Sequence, residues 1–229
     1  MITIQNLCKQ YGHNVVLDIP ELAIPAGQRF GLVGNNGAGK TTLFSLLLDL
    51  IRPVRGAVFI EEKNVGESSE WKSFTGSFLD DSFLIGFLSP EEYFQFVGKL
   101  YGMNTSDVSE YLNRFEAFFN GEILDRGKYV RDMSKGNQKK VGIAAALMGA
   151  PRLVVLDEPF ANLDPSSQIR LKNIIRELGR DKTILISSHD LAHVTEVCER
   201  IVVLEKGKLI RDIHANRDTL RELEAYFSA

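Results

Sequence analysis

The amino-acid sequence predicts an α/β fold, and two patterns carry this prediction. Short β-type runs separated by turn residues dominate the first sixty residues, and beyond residue 150 apolar strands alternate with helices. Such alternation is typical of a parallel sheet whose faces are covered by helices. The chain has 229 residues, of which 44% are hydrophobic, so it can build the core of one large domain or of one domain with a subdomain.

The first sixty residues are predicted to be mostly sheet. The β-type runs cover residues 2–4, 22–24, 30–33 and 57–60. One early helix should follow Gly39, because residues 41–50 repeat leucines at helical spacing and the pattern stops before Arg52-Pro53. This helix comes directly after a glycine-rich loop.

Between about Ser89 and Asn120 the pattern changes to two amphipathic helices. Ser89 is a good N-cap, Pro90 suits the first helical position, and Glu92 completes a capping box. We expect a helical subdomain of about residues 85–140, inserted into a core of residues 1–84 and 141–229. Because we find no linker and no repeat, the whole chain, residues 1–229, is expected to form one domain.

The last hundred residues supply the rest of the predicted sheet and its covering helices. The predicted elements are a helix from Ser134, a strand at 153–156, a helix opened by Asp164-Pro165, a strand at 183–186, a strand pair around Lys206-Gly207 and a surface helix at 217–227.

The charge distribution argues against nucleic acid as a partner. With 30 acidic and 27 basic residues the formal net charge is −3, and like charges form no run. Cys8 and Cys198 stand alone, which predicts neither a disulfide framework nor a zinc site and fits a reducing, cytosolic setting. The chain begins without a secretory signal, and its most apolar stretches, 43–51 and 141–150, are far shorter than the ~20 residues of a membrane span.

A glycine-rich loop between a predicted strand and a predicted helix matches the phosphate-binding pattern G-x-x-x-x-G-K-[ST]. It reads Gly34-Asn35-Asn36-Gly37-Ala38-Gly39-Lys40-Thr41, and these residues are expected to bind the nucleotide together with Thr42, which follows the loop. In such a loop successive backbone N–H groups turn toward the β-phosphate, and the helix N-terminus adds its positive dipole. We expect Lys40 to reach the β- and γ-phosphates and the Thr41 hydroxyl to bind Mg²⁺. The alternative is a glycine-rich turn that only caps a helix.

Two acidic residues, Asp157 and Glu158, follow the predicted strand 153–156, where a parallel strand opens into a binding crevice. Adjacent residues of a strand point to opposite sides, so the two carboxylates are expected to have different roles. Asp157 suits the outer coordination of Mg²⁺, and Glu158 suits the activation of the water that attacks the γ-phosphate. The alternative is two solvated acids in a loop before Pro159.

Further motifs appear in an order that resembles the ATP-binding cassette (ABC) ATPases. The segment Met133-Ser134-Lys135-Gly136-Asn137-Gln138 opens a predicted helix upstream of Asp157 and is similar to the family's signature motif. Tyr11 resembles the adenine-stacking aromatic, Ala161-Asn162-Leu163-Asp164-Pro165 the D-loop, and His189 the switch histidine. The resemblance covers nearly the whole chain. It implies a P-loop NTPase core with a mixed sheet, an N-terminal antiparallel β subdomain and an inserted helical subdomain.

The signature has a physical interpretation of its own. Ser134 is a good N-cap, and its hydroxyl and the following N–H groups form a second anion site. Because Ser134 is far along the chain from Lys40, it could serve the same nucleotide only from another subunit. By resemblance, two such domains pack head to tail as a homodimer, and the signature of each closes over the other subunit's ATP. The signature residues expected to bind the nucleotide are Ser134, Lys135, Gly136 and Asn137. The resemblance also places Asp164 among the nucleotide-binding residues. The alternative is an ordinary helix cap.

By resemblance, His189 contacts the γ-phosphate and holds the attacking water. It follows the predicted strand 183–186 and therefore lies beside the crevice, although a lone histidine is more often a surface or core residue. Tyr11 would stack on adenine, which supplies affinity with little discrimination between bases. The alternative for Tyr11 is simple packing.

Two places depart from the family's pattern. The signature usually has two glycines and a glutamine where this chain has Lys135, Gly136 and Asn137, and Lys135 is expected to add a cation near the facing phosphate. In the segment 75–81, Asp80 stands where the family presents a glutamine to Mg²⁺ and to the membrane partner. Asp80 offers the metal an oxygen as well. The alternative is that it simply faces solvent.

The leading interpretation is an ATPase subunit of an ABC transporter, of an efflux-like type, that hydrolyses Mg-ATP to drive a separate transmembrane subunit. Such a chain would lie on the cytoplasmic face of the membrane through its partner, and the apolar residues within 83–88 are expected to dock there or, alternatively, to pack the helical subdomain. The second candidate is a soluble ABC ATPase acting on nucleic acid or ribosomes, which usually adds a second cassette, coiled coils or basic arms. A P-loop kinase would need a cluster of arginines in a lid segment, and a GTPase would need an Asn-Lys-x-Asp motif that recognises the base. The sequence has neither.

Overall fold

The computed structural model describes residues 1–228 and contains two β-sheets. The smaller sheet has four antiparallel strands in the order β2-β1-β4-β5. Its strands are β1 (Ile2–Tyr11), β2 (Asn14–Ile24), β4 (Arg55–Ile60) and β5 (Lys63–Asn64). Ile4 pairs with Leu22 on one side and with Val58 on the other, and all three side chains are buried. The expected N-terminal antiparallel subdomain is confirmed.

The larger sheet has six strands in the order β10-β9-β3-β8-β7-β6. Its strands are β3 (Arg29–Val33), β6 (Thr75–Phe78), β7 (Leu153–Leu156), β8 (Thr183–Ser188), β9 (Arg200–Glu205) and β10 (Lys208–His214). The first five of these are parallel to their neighbours, and only β10, at the edge, is antiparallel. The sheet is therefore mixed, as expected.

Eight α-helices complete the described part of the chain, residues 1–228. They are α1 (Lys40–Leu47), α2 (Pro90–Leu100), α3 (Thr105–Asn113), α4 (Glu116–Phe119), α5 (Lys135–Ala146), α6 (Pro165–Glu177), α7 (Leu191–Val197) and α8 (Thr219–Ser228). Three short 3₁₀ turns cover Glu70–Phe74, Asp81–Phe83 and Val130–Asp132. No helix of this described region is both long and apolar enough to cross a membrane.

Helix starts agree with the capping residues that the sequence predicts. Ser89 forms a full capping box with Glu92 at the start of α2, while Ser134 caps α5 and Asp164 caps α6. Two expectations were wrong in detail. The region 89–120 holds three helices where two were expected, and α1 ends at Leu47 because Asp49 adopts a left-handed backbone with φ of +54°. The helix therefore ends before the pattern of leucines does.

Two hydrophobic cores lie on opposite faces of the larger sheet. Along β7, Leu153 and Val155 pack into the core that includes α1 and the smaller sheet, whereas Val154 and Leu156 pack into the core that includes α2 to α6. All four side chains are buried, because a strand in the middle of a parallel sheet has both faces covered. The division into a core of 1–84 and 141–229 and a subdomain of about 85–140 stays a prediction.

Candidate active site

The carboxyl ends of three adjacent parallel strands meet at one edge of the larger sheet. The loop 34–39 follows β3, Asp157 and Glu158 follow β7, and His189 follows β8. In open α/β sheets this edge is where ligands bind. The order β3-β8-β7 therefore brings together residues that are more than a hundred positions apart in the chain.

The glycine-rich loop turns tightly into α1. Gly39 has φ of +109°, which L side chains rarely adopt, and a Cβ built on it would lie 3.0 Å from the carbonyl oxygen of Val16, so this close approach to β2 favours glycine. Nζ of Lys40 donates to the carbonyl oxygen of Gly34 at 2.7 Å and lies 3.4 Å from that of Asn35. The Lys40 side chain is only 7% exposed. Its ammonium thus lies in the concave face of the loop.

Asp157 is buried and uses both carboxylate oxygens. Oδ2 accepts a hydrogen bond from the Thr41 hydroxyl at 2.5 Å, and Oδ1 accepts one from the Ser187 hydroxyl. Burial raises the pKa of Asp157 above its ordinary value, and the bonds from Ser187 and Thr41 oppose that shift. The adjacent hydroxyl and carboxylate oxygens of Thr41 and Asp157 are the donors that Mg²⁺ prefers.

Glu158 has a separate set of partners. Oε1 lies 3.2 Å from Nζ of Lys40 in an ion pair, and Oε2 lies 2.8 Å from Nδ1 of His189 and accepts from its backbone N–H at 3.3 Å. The Glu158 backbone is left-handed, with φ of +47°. This turn in the chain separates the two neighbouring carboxylates and gives each its own environment.

Ser187 is a site residue that the sequence reasoning missed. Its buried hydroxyl donates to Asp157 and accepts from the backbone N–H of Glu158 at 2.9 Å. The available signal was a small polar residue at the end of β8, beside the strand that carries the acidic pair. One hydroxyl therefore connects both acidic residues to the neighbouring strand.

Asp80 lies on the wall of the same site. It lines a cavity of about 360 Å³ together with Thr41, Asp157 and Glu158. Its Oδ1 accepts from the backbone N–H of Ser82 at 2.9 Å, and hydrogen bonds from Ser82 lower the pKa of Asp80. Within residues 1–228, no group of three His, Cys, Asp or Glu side chains is arranged to hold a metal ion by itself. Mg²⁺ usually takes one or two carboxylates and completes its shell with water and phosphate oxygens.

The signature region divides between two cavities. Ser134 accepts from the backbone N–H of Asn137 at 3.3 Å, and both residues line a cavity of about 430 Å³ that also includes Lys128. Lys135 instead lines the cavity of about 360 Å³ that holds Thr41 and Asp157, and it pairs with Asp81 of its own chain. The expectation of Lys135 beside a facing phosphate stays a prediction.

Close packing explains the glycine that remains in the signature. A Cβ on Gly136 would lie 2.6 Å from the carbonyl oxygen of Asn162, so the start of α5 rests against the D-loop. Asp164 of that loop caps α6 and lies 3.8 Å from Nζ of Lys140. Hydrogen bonds from Ser166 and Ser167 hold the pKa of Asp164 well below its usual range.

Two further residues, Tyr11 and Thr42, are also predicted to bind the nucleotide. Tyr11 is exposed at the end of β1, with Nζ of Lys9 4.9 Å from its ring centroid. Thr42 is half-buried in the first turn of α1. Their predicted roles in binding the nucleotide stay predictions.

The known proteins that this chain resembles include ATP-binding proteins of transporters. The family model described as ABC transporter matches residues 17–161. The chain is 32% identical over 229 residues to the lantibiotic transport ATP-binding protein SrtF of Streptococcus pyogenes, covering 100% of this chain and 96% of that protein. It is 33% identical over 218 residues to the bacitracin transport ATP-binding protein BcrA of Enterococcus faecalis, covering 93% of this chain and 69% of that protein.

A solved ATP-binding subunit of an ABC transporter superposes with a TM-score of 0.79 and 27% identity, over 100% of this chain and 95% of that one. A dimeric bacterial ABC transporter cassette, MJ0796, superposes with a TM-score of 0.77, over 94% of this chain and 99% of that one. Its identity of 23% makes this a likeness of fold alone.

Proposed function

This chain belongs to the family of ABC transporter ATP-binding proteins, and we propose that the side chains gathered around Glu158 form its ATP-hydrolysing site. It is an ATPase that supplies a transporter with energy, as the family and the named relatives establish. The observation that carries the assignment to Glu158 is its position between Lys40 and His189, at 3.2 Å and 2.8 Å.

We infer that the triphosphate lies along the loop 34–39, with the loop N–H groups around the β-phosphate. The ammonium of Lys40 already lies inside the loop, where it would exchange its carbonyl partners and Oε1 of Glu158 for phosphate oxygens. Tyr11 would stack on the adenine. A positive ammonium and a helix N-terminus together favour the most highly charged part of the ligand.

Thr41 and Asp157 would hold Mg²⁺, and their direct contact at 2.5 Å supports this pairing. The ion would neutralise charge on the β- and γ-phosphates. The charge of the ion would also favour the ionised form of the buried Asp157 carboxylate, whose burial raises its pKa. Asp80, on the same cavity wall, is placed to approach the ion or its water.

In the hydrolytic step, Glu158 accepts a proton from water as the water oxygen attacks the γ-phosphorus. The bond between the γ-phosphorus and the bridging oxygen breaks, and ADP and inorganic phosphate result. The bond of His189 to Oε2 orients the Glu158 carboxylate, and we infer that the imidazole also contacts the γ-phosphate. Lys40 stabilises the charge that develops on the transferred group.

We infer that the complete site needs two chains packed head to tail. Ser134 and Asn137 line a cavity different from the one that holds Thr41 and Asp157, which supports the idea that they serve a nucleotide bound to another subunit. The D-loop beside Gly136 would then lie at the same dimer interface. A homodimer of this kind would bind two ATP molecules.

The membrane partner would dock beside the Asp80 loop. Phe83 and Phe87 are 60% and 66% exposed, whereas Leu84, Ile85 and Leu88 are only partly buried. Contiguous exposed apolar side chains mark partner sites, so we infer that a transmembrane subunit covers them and holds the chain on the cytoplasmic face of the membrane.

Two variants test the assignment. Glu158→Gln should retain ATP affinity and lose nearly all turnover, because the phosphate contacts stay while the base is removed. Lys40→Ala should lose ATP binding itself. The measurements are phosphate release, equilibrium ATP binding and light scattering of Glu158→Gln with Mg-ATP. Full turnover by Glu158→Gln would contradict the role of the base, and a monomer at saturating ATP would contradict the two-chain site.

A further inference from the structure

Lys139 lies one turn into α5, and its side chain crosses to the main chain of Glu158. Nζ donates to the carbonyl oxygen of Glu158 at 2.6 Å. The side chain is only partly exposed, and its ammonium lines the cavity that holds Thr41 and Asp157. A cation of the helix that begins at the signature therefore contacts the residue that we propose as the base.

The Glu158 backbone needs such support. An L-residue rarely adopts φ of +47°, so the surrounding contacts must hold it there. The N–H of Glu158 donates to Ser187, and its carbonyl oxygen accepts from both Lys139 and the backbone N–H of Ala161, the latter at 3.2 Å. Of these contacts, only the bond from Lys139 comes from a charged side chain, and bonds to charged groups are the stronger class.

The charges around Lys139 agree with this role. Burial lowers the pKa of its ammonium, while four neighbouring carboxylates, those of Glu158, Asp157, Asp81 and Asp80, raise it. The ammonium is thus a partly buried cation facing an acidic cavity. Burial removes water from such a group, and hydrogen-bond acceptors of the protein must take the place of that water, which favours a well-defined position of the ammonium.

We propose that Lys139 is a positioning residue for hydrolysis: its bond to the carbonyl oxygen of Glu158 holds the left-handed backbone that directs the Glu158 carboxylate toward the attacking water. The inference rests on the proposed role of Glu158 and adds to it a link from the start of α5 to the base. The hydrogen bond that Lys139 makes in the structure is to the main chain of the base. Its loss should therefore lower kcat while ATP affinity is kept.

The test compares Lys139→Met and Lys139→Arg with the wild-type chain. Methionine keeps the length and apolar stem and removes the donor, whereas arginine keeps a donor and a charge. Lys99→Met, at an exposed position of α2, is the matched control. For each protein we would measure kcat and KM for ATP hydrolysis, the equilibrium affinity for ATP and the midpoint of thermal unfolding.

We expect Lys139→Met to lose between roughly 10- and 100-fold in kcat, because a small displacement of a reacting group has effects of that size. KM and ATP affinity should stay within about twofold of wild type, Lys139→Arg should recover most of the rate, and Lys99→Met should match wild type. If Lys139→Met does not fold, Lys139→Gln replaces it with the same expectation, because its amide is too short to reach the carbonyl.

An unchanged kcat in Lys139→Met would overturn the proposal. So would a rate loss matched by an equal loss of ATP affinity, or one that Lys139→Arg does not recover at all, since either result indicates a role other than positioning the base. Absence of hydrolysis in the wild-type chain and in Lys99→Met would instead refute the proposed function, and this inference would fall with it.

Discussion

Replacing Ser187 with alanine removes one hydroxyl that serves both acidic residues. In the structure it donates to Asp157 and accepts from the backbone N–H of Glu158 at 2.9 Å, and the side chain is 0% exposed. Water cannot easily take its place in a fully buried position. Ser187→Ala therefore leaves a buried donor unpaired and a buried carboxylate with one bond fewer.

The size of the effect follows from these two losses. An unsatisfied buried donor costs about 1–3 kcal/mol, and a hydrogen bond to a charged group contributes about 1.5–3 kcal/mol. Because one hydroxyl makes both contacts, the losses overlap, and we expect the free energy of unfolding to fall by about 2–4 kcal/mol. For a chain of this size, that corresponds to a melting temperature lower by roughly 5–15 °C.

The assay is urea and thermal unfolding of Ser187→Ala beside wild type. Ser77→Ala is the control, since Ser77 lies exposed on β6 of the same sheet and should change the free energy of unfolding by less than about 0.5 kcal/mol. ATP hydrolysis by Ser187→Ala should also fall, because the Glu158 backbone loses a partner. Equal stability of Ser187→Ala and wild type would refute the hydrogen-bonding argument.

Three other predictions each concern a single residue. Asp212→Asn removes the forked ion pair with Arg200, which is partly exposed, so we expect a loss of about 1 kcal/mol or less at pH 7. The ion pair with Arg200 lowers the pKa of Asp212 in the folded chain. Its stabilisation is therefore fully present above the ordinary aspartate pKa of about 3.9 and is lost as the pH falls through the lower pKa of the folded state. Unfolding curves of variant and wild type that stay separated below that pH would contradict this reasoning. Phe83→Asp should remain folded, because Phe83 is 60% exposed, and should no longer co-purify with the transmembrane subunit; an unfolded variant would show that Phe83 is core. Asp80→Asn should raise the Mg²⁺ concentration for half-maximal hydrolysis, and superimposable Mg²⁺ titrations would remove Asp80 as a ligand.

The sequence predicts the main elements of the fold well where periodicity or capping is strong. The buried run of β7 and the capping box of α2 are found where expected. It misses α7, because a helix of seven residues is too short to show an apolar repeat. It also misses α4, a four-residue helix that begins after Phe115 within an aromatic cluster, since tertiary packing decides the structure there.

Within the site, spacing and strand order indicate which residues meet but not how their side chains pair. The sequence predicts that Lys40, Asp157 and His189 lie at one edge, because each follows or ends a predicted strand or loop. The pairing of Lys135 with Asp81 depends on the packing of α5 against the turn after β6, which no local pattern reports. Contacts of this kind become visible only in the three-dimensional structure.

In the proposed site, the contacts of Lys40 would link nucleotide binding to activation of the base. Its ammonium is bonded to the loop carbonyls and paired with Oε1 of Glu158, so a carboxylate is already paired with the ammonium that we propose binds the γ-phosphate. A like-charged phosphate and carboxylate cannot share that ammonium at close range without repulsion. Arrival of ATP would therefore draw Lys40 toward the phosphate and release Oε1, while Oε2 keeps its bond to His189. In the proposed mechanism, Oε1 of Glu158 would then be free to accept a proton from the attacking water.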